Sequence, residues 1–254
     1  FVYIIGIEGC GHHGFMPVVE NLVGASLSDP THMQSRWQAI RKAFNNIWLH
    51  PNPFVKRWGK SQLKRLLKRI AKQDGGQDQT FYILEDNSFP SGDIRTVGAG
   101  WDLQELIALV EPFADVHLIS LNRHPIAATF SHKDWDGGFR GHAQVLADHM
   151  DYLTTCMTAI GGENFKTISY EAMTTHSQEV VEGLVNYLEL PYGNTQHAFK
   201  DFRASKKNWR VSLAPEEKAW AEAFFNADKM KGWDVLHGAN NSLIGTEIKE
   251  WATV

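Results

Sequence analysis

The chain has 254 residues, of which 43% are hydrophobic and 21% charged. This is globular composition with length enough for a buried core, and it argues against a disordered chain. No run of 18 apolar residues occurs, so no stretch of it is a membrane-spanning helix. Two cysteines, Cys10 and Cys156, exclude a disulfide framework and a four-cysteine zinc site and leave the redox compartment open. The sequence starts inside an apolar run and without Met, so an upstream segment is expected, and a signal or anchor could belong to it.

Net charge is −4, unevenly spread. Residues 36–72 hold eleven Lys/Arg and no Asp/Glu, so this block carries +11 and the rest −15. Such a block suits an anionic partner: a phosphorylated cofactor, an acidic glycan or a membrane face. It is equally what a solvated helix face would show. Leu63, Leu66, Leu67 and Ile70 recur at helical spacing within 61–72, with Ser61 as the expected N-cap. Nucleic acid is not an expected partner, because zinc-finger spacing and RNP-type aromatic motifs are missing and the net charge is negative.

In chain order, residues 1–7 predict a buried parallel strand. A glycine-rich turn follows, with Gly6, Gly9, Gly11 and Gly14 around Glu8-Gly9-Cys10-Gly11-His12-His13, and residues 16–22 predict a helix. Helical pieces over 29–60 are broken by Pro51 and Pro53. Residues 81–85 predict a second strand, 103–110 a helix, and 116–121 a third strand. His124-Pro125 starts a helix with Pro in its first turn. Gly137-Gly138 marks a loop before a long helix over 143–160, with Val145, Leu146, His149, Tyr152, Leu153 and Met157 inward. Residues 165–169 predict a fourth strand, and 177–188 and 215–225 late helices. Strands alternating with helices define an α/β fold: one domain with a central parallel sheet flanked by helices, P-loop-nucleotide-binding-like, with a helical, basic insertion at about 29–75.

Two features carry chemistry. The first is the glycine turn, placed between a strand and a helix, where backbone N–H groups can converge on a phosphate. It is not a Walker A loop, since Gly11-His12-His13 stands where Gly-Lys-Ser/Thr is needed. The dinucleotide fingerprint is poor too, because the acidic residue about 20 positions on is missing. The second is Leu121-Asn122-Arg123-His124-Pro125, followed by Ser131. An Arg at the C-terminal edge of a buried strand lies where α/β sheets bind ligands, and its fork suits a phosphate.

Together these residues resemble the PAPS-dependent sulfotransferase family. Arg123, Pro125 and Ser131 match its strand–Arg-x-Pro–helix–Ser motif in identity and spacing. Ile168-Ser169-Tyr170-Glu171-Ala172-Met173 is similar to its strand-Tyr-Glu element, and 205–217 to its late Ser-x-x-x-Trp-Arg…Leu-x-Pro-Glu-Glu segment. The order agrees over residues 1 to about 225. The resemblance implies PAPS as donor and PAP as product, with no metal required. Gly9, Cys10, Gly11, His12, His13 and Gly14 would hold the 5′-phosphosulfate, Arg123 and Ser131 the 3′-phosphate, and Lys206, Lys207 and Arg210 would close over the nucleotide.

One departure stands out. The family's loop carries Lys or Arg at the position of Gly9, so the cation there is missing, and His12, His13 or a Lys of the basic block could substitute. For the base, the His position of the family's soluble branch falls on Ser88 and the Glu position of its carbohydrate and protein branch on Glu85. The chain is therefore nearer the second branch, with Glu85 first in line, Asp86 second, and His12 or His13 behind. The function expected is sulfuryl transfer to a hydroxyl or amine of a small-molecule or glycan acceptor. Alternatives are a non-catalytic sulfotransferase-like binding module and a P-loop-type small-molecule kinase. Residues 132–140, glycine-hinged and aromatic, could form a lid over the acceptor. Asn240-Asn241-Ser242 is a glycosylation sequon that matters in a lumenal compartment, so cytoplasm and a Golgi-type lumen both stay open.

Overall fold

Four short apolar runs become the strands of one parallel sheet: β1 (Val2–Ile5), β2 (Ile83–Asp86), β3 (His117–Asn122) and β4 (Phe165–Ser169), in the order β2-β1-β3-β4. The computed structural model describes residues 1–6, 9–23, 30–74, 83–86, 102–134, 137–190, 195–202, 204–205 and 208–236. All three strand pairings are parallel, with Val2 opposite both Ile83 and His117, and Leu118 opposite Phe165. Parallel neighbours need long crossovers, and the helices supply them. Helices α1 (His12–Val23), α2 (Pro30–Trp48) and α3 (Pro53–Asp74) lie between β1 and β2, and α4 (Leu103–Val110) between β2 and β3. Helices α5 (Pro125–Ser131) and α6 (Gly138–Ile160) join β3 to β4. Five follow: α7 (Tyr170–Thr175), α8 (Ser177–Tyr187), α9 (Trp209–Ser212), α10 (Pro215–Phe224) and α11 (Ala227–Leu236). The fold is the α/β parallel sheet flanked by helices that the alternation of elements predicts.

The described side chains of β1 and β3 are buried apart from the half-buried His117, which is why these strands are continuously apolar rather than alternating. Tyr3, Ile4, Ile5, Phe15, Phe44 and Phe165 are among the largest fully buried side chains. Trp233 of α11 is fully buried, and Thr154 Oγ1 of α6 donates to the Gly232 carbonyl at 3.3 Å.

Three helix starts differ from expectation, each for a local reason. Helix α1 begins at His12 rather than residue 16, because Gly11, at φ 99°, turns its carbonyl to accept from both Gly14 N and Phe15 N at 3.0 Å. His12, His13 and Gly14 are therefore the first turn of a helix, not part of the loop. Helix α3 begins at Pro53, and Ser61 is interior rather than a cap; Asn52 caps instead, its Oδ1 accepting from Phe54 N at 2.9 Å. Helix α6 begins at Gly138 rather than 143, entered through Gly137 at φ 91°.

Helices α2 and α3 pack closely through Gly59. A Cβ there would lie 3.0 Å from Asn46 Cβ, 3.1 Å from Ile47 Cγ1 and 3.2 Å from the Ala43 carbonyl. A larger side chain must wedge the pair apart, so Gly59→Leu is expected to lower stability by about 1–3 kcal/mol in urea unfolding, the usual range for overpacking. An unchanged midpoint would show that the contact is loose.

Candidate functional site

Strand order reverses between β1 and β3, since β1 leads to β2 on one side and β3 lies on the other. In open α/β sheets the crevice beyond the strand C-termini at this reversal is where ligands bind. Here it is lined by the Gly9–Cys10–Gly11 turn after β1 and by Arg123, directly after β3.

Arg123 is the centre of the cluster. It is only 7% exposed. Its Nη1 donates to the Gly9 carbonyl at 3.2 Å, and its Cζ stands 4.2 Å from the centroid of the Tyr170 ring. Its Nε–H, also buried, has no hydrogen-bond partner among the described residues. The same holds for two other buried polar atoms, Asn122 Nδ2 at the end of β3 and Thr129 Oγ1 in α5. A desolvated guanidinium with an unmet donor is costly unless an anion completes it, so this chemistry fits a phosphate group.

Tyr170 joins three pieces of chain. Its Cδ2 would lie 2.7 Å from a Cβ on Gly11, its ring lies under Arg123, and its hydroxyl accepts from the Ser205 backbone N–H. The adjacent Glu171 is buried, and its Oε1 accepts from His124 N at 3.0 Å. Burial pushes the Glu171 carboxyl up, against the opposite pull of the His124 N–H and of the Arg123 and Arg210 charges. The His124 ring stacks on Trp209 at 5.4 Å, and Arg210 Cζ sits 4.7 Å above that same indole. Asn208 caps α9 by accepting from Arg210 N at 3.0 Å. The strand–Arg-x-Pro motif, the strand-Tyr-Glu element and the late segment thus meet in one place.

Ser131 ends α5 with its Oγ donating to the Ala128 carbonyl at 3.0 Å. It faces the glycine turn: a Cβ on Gly9 would lie 2.7 Å from the Ala128 carbonyl, 2.8 Å from Ser131 Oγ and 3.0 Å from His132 Nδ1. Gly9, at φ 96°, is therefore the common neighbour of Arg123 and Ser131. The same contacts explain why no cationic side chain stands at position 9: there is no room for one. Cys10 is fully buried, and Gly11 and Gly14 are half-buried.

The two histidines part company. His13 is exposed. His12 is 3% exposed and turned inward, with its Nε2 2.8 Å from where a Gly6 Cβ would be. Burial first, then the charges of His13 and His149, hold the His12 imidazole down to about 3. Burial does the same to His149 of α6. Glu85 and Asp86 are placed by their backbone, paired with Ile4 and Ile5 at the C-terminal end of β1; their side chains lie outside the described residues. So do Lys206, Lys207 and the middle of the expected lid, residues 135–136. Tyr170 and Glu171 stand in the sequence only as parts of a motif. The place of Tyr170 and Glu171 in the cluster follows from contacts across the chain, with Arg123, Gly11, Ser205 and His124, that no local pattern records.

No family model matches the sequence, and no curated protein matches it. Solved structures do. The chain is similar to the sulfotransferase domain of the Synechococcus PCC 7002 olefin synthase, at 12% identity and TM-score 0.53, over 89% of this chain and 94% of that one. A sulfotransferase domain from the curacin biosynthetic pathway aligns at 14% identity and TM-score 0.49, over 80% and 78%. At such identity the first likeness establishes the fold, an α/β sheet built as a sulfotransferase domain builds it.

Two outcomes follow from the geometry. Gly9→Lys, which restores the cation of the family pattern, should destabilise the chain by about 1–3 kcal/mol from backbone strain alone, because φ 96° disfavours a side chain and the Ala128 carbonyl cannot yield. Thermal melting of the variant checks it. His12 and His149 have folded values near 3, below the free imidazole at 6.5, so the unfolded chain takes up their protons first. The stability they contribute is full above 6.5 and is lost as pH falls from there toward 3. Urea midpoints should drop across that window and drop less steeply in His149→Leu.

Proposed function

We propose that this chain is a sulfotransferase that moves a sulfuryl group from PAPS to a hydroxyl or amine of a small-molecule or glycan acceptor by in-line displacement. The observation that carries the reading is the buried Arg123, wrapped by Gly9 and Tyr170 with Nε–H unmet, on a backbone that shares the fold of a sulfotransferase domain. When bound, PAPS would supply an activated sulfuryl group on a phosphate leaving group.

The chain's own residues do the rest. Arg123 and Ser131 would hold the 3′-phosphate beside Gly9. The turn from Gly9 to Gly11 and the first turn of α1, with His12, His13 and Gly14, would face the 5′ end. There backbone N–H groups and the positive helix end take the place of the loop cation. Arg210 on its Trp209 platform would cover the nucleotide, with Lys206 and Lys207 beside it. Glu85, at the strand end next to β1, would take the acceptor proton. His12 suits that task poorly, since an imidazole held near 3 is a feeble base. The sterically closed position 9 favours one second reading, a non-catalytic module that retains the nucleotide site without turnover.

Calorimetric titration with PAP in magnesium-free buffer tests the proposal. The wild-type chain should bind, and Arg123→Ala should bind roughly 10- to 150-fold more weakly, the range for a charged hydrogen bond. Glu85→Gln should keep PAP affinity and lose roughly 10²–10⁴-fold in turnover. A folded wild-type chain that ignores PAP would overturn the reading, and intact binding without turnover on any acceptor would favour the module.

A further inference from the structure

We propose that the outward face of α3 docks the protein on an anionic phospholipid bilayer. The helix has 22 residues and is about 33 Å long. Its inward face buries Gly59, Leu63, Leu67 and Ile70. Its outward face exposes Arg57, Lys64, Arg65, Lys68, Arg69 and Lys72. None of these six forms an ion pair among the described residues; Lys60, off that face, pairs with Glu105. On the same face, one turn apart at the N-terminal end, stand Phe54 at 74% exposure and Trp58 at 51%. At about 100° per residue, Phe54, Trp58, Arg65 and Lys72 fall close to one line along the helix.

Cations alone would suit any polyanion. The two exposed rings select among them. Isolated surface hydrophobics are ordinary, but two large exposed aromatics one turn apart at the end of a cationic stripe present apolar surface that water disfavours. A bilayer surface uses both halves: the rings enter the headgroup–acyl boundary, and the Lys/Arg side chains neutralise anionic headgroups. The outward face of a helix is convex, a shape that lies on a plane, whereas a soluble acidic ligand is better held in a groove. The acidic remainder of the chain does not oppose this, because the helix diameter of about 10 Å already exceeds the ~8 Å screening length in physiological salt.

Co-sedimentation with phosphatidylcholine vesicles, with and without phosphatidylserine, is the test. The wild-type chain should pellet with phosphatidylserine vesicles, stay in solution with phosphatidylcholine alone, and be released by salt. Arg65→Gln with Lys68→Gln should lower partitioning by about thirtyfold, roughly fivefold per cation. Phe54→Ser with Trp58→Ser should lower it by about tenfold or more. These substitutions lie on the exposed face and leave the PAP titration as a check of folding. Failure of the wild-type chain to bind phosphatidylserine vesicles would overturn the proposal. So would binding that survives loss of both rings and passes fully to soluble heparin, which would make the face a site for a soluble polyanion.

Discussion

The bond from Arg123 to the Gly9 carbonyl is the constraint on which the rest of this structure depends. Taking a guanidinium out of water costs several kcal/mol unless its donors and charge are met. The chain meets them in part with a carbonyl from the β1–α1 turn, the face of Tyr170 and the nearby Glu171 carboxyl. These partners come from two places, the β1–α1 turn and the start of α7. The turn must run close enough for Gly9 to touch α5, β4 must end in register for α7 to present Tyr170 and Glu171, and α9 must lean Trp209 on His124. The fold can be read as the scaffold that brings these pieces to one charge, whose Nε–H has no partner among the described residues.

That arrangement also explains the glycines. At position 9 the backbone itself is the ligand of Arg123, and α5 fills the space a side chain would need. At position 11 the aromatic face of Tyr170 does the same. The turn approaches its neighbours through backbone, with no room for a side chain at position 9. Beside it stand the buried Arg123 and the positive N-terminal end of α1.

Much of the fold was legible because parallel strands are buried on both faces and so read as continuous apolar runs; Phe165–Ser169 is the clearest case. Helix starts were less legible. Gly11 and Gly137 read as loop residues, yet their left-handed backbone is what lets α1 and α6 begin where they do. Pro53 read as a breaker, yet behind Asn52 it opens a long helix. In the site, Arg123 was visible from a strand end followed by Pro. The part played by Tyr170 was not, because it rests on contact with Gly11, far off in sequence and without any periodic trace. The inward turn of His12 was hidden likewise, since one residue of helix start decides which of two adjacent rings enters the core.

The sheet order has a consequence for how the chain comes into being. Strand β1 is central, and its neighbours β2 and β3 pair with it from some 80 and 115 residues downstream, as Val2 opposite Ile83 and His117 shows. During synthesis at about 5–20 residues per second, a fully apolar strand therefore waits roughly 6–25 s for its second partner to be made. Through that interval its open edges invite pairing with other nascent chains. Non-local pairing of this kind also folds slowly once the chain is complete. Productive yield in a cell should accordingly depend on holdase chaperones that shield β1 until β3 has emerged.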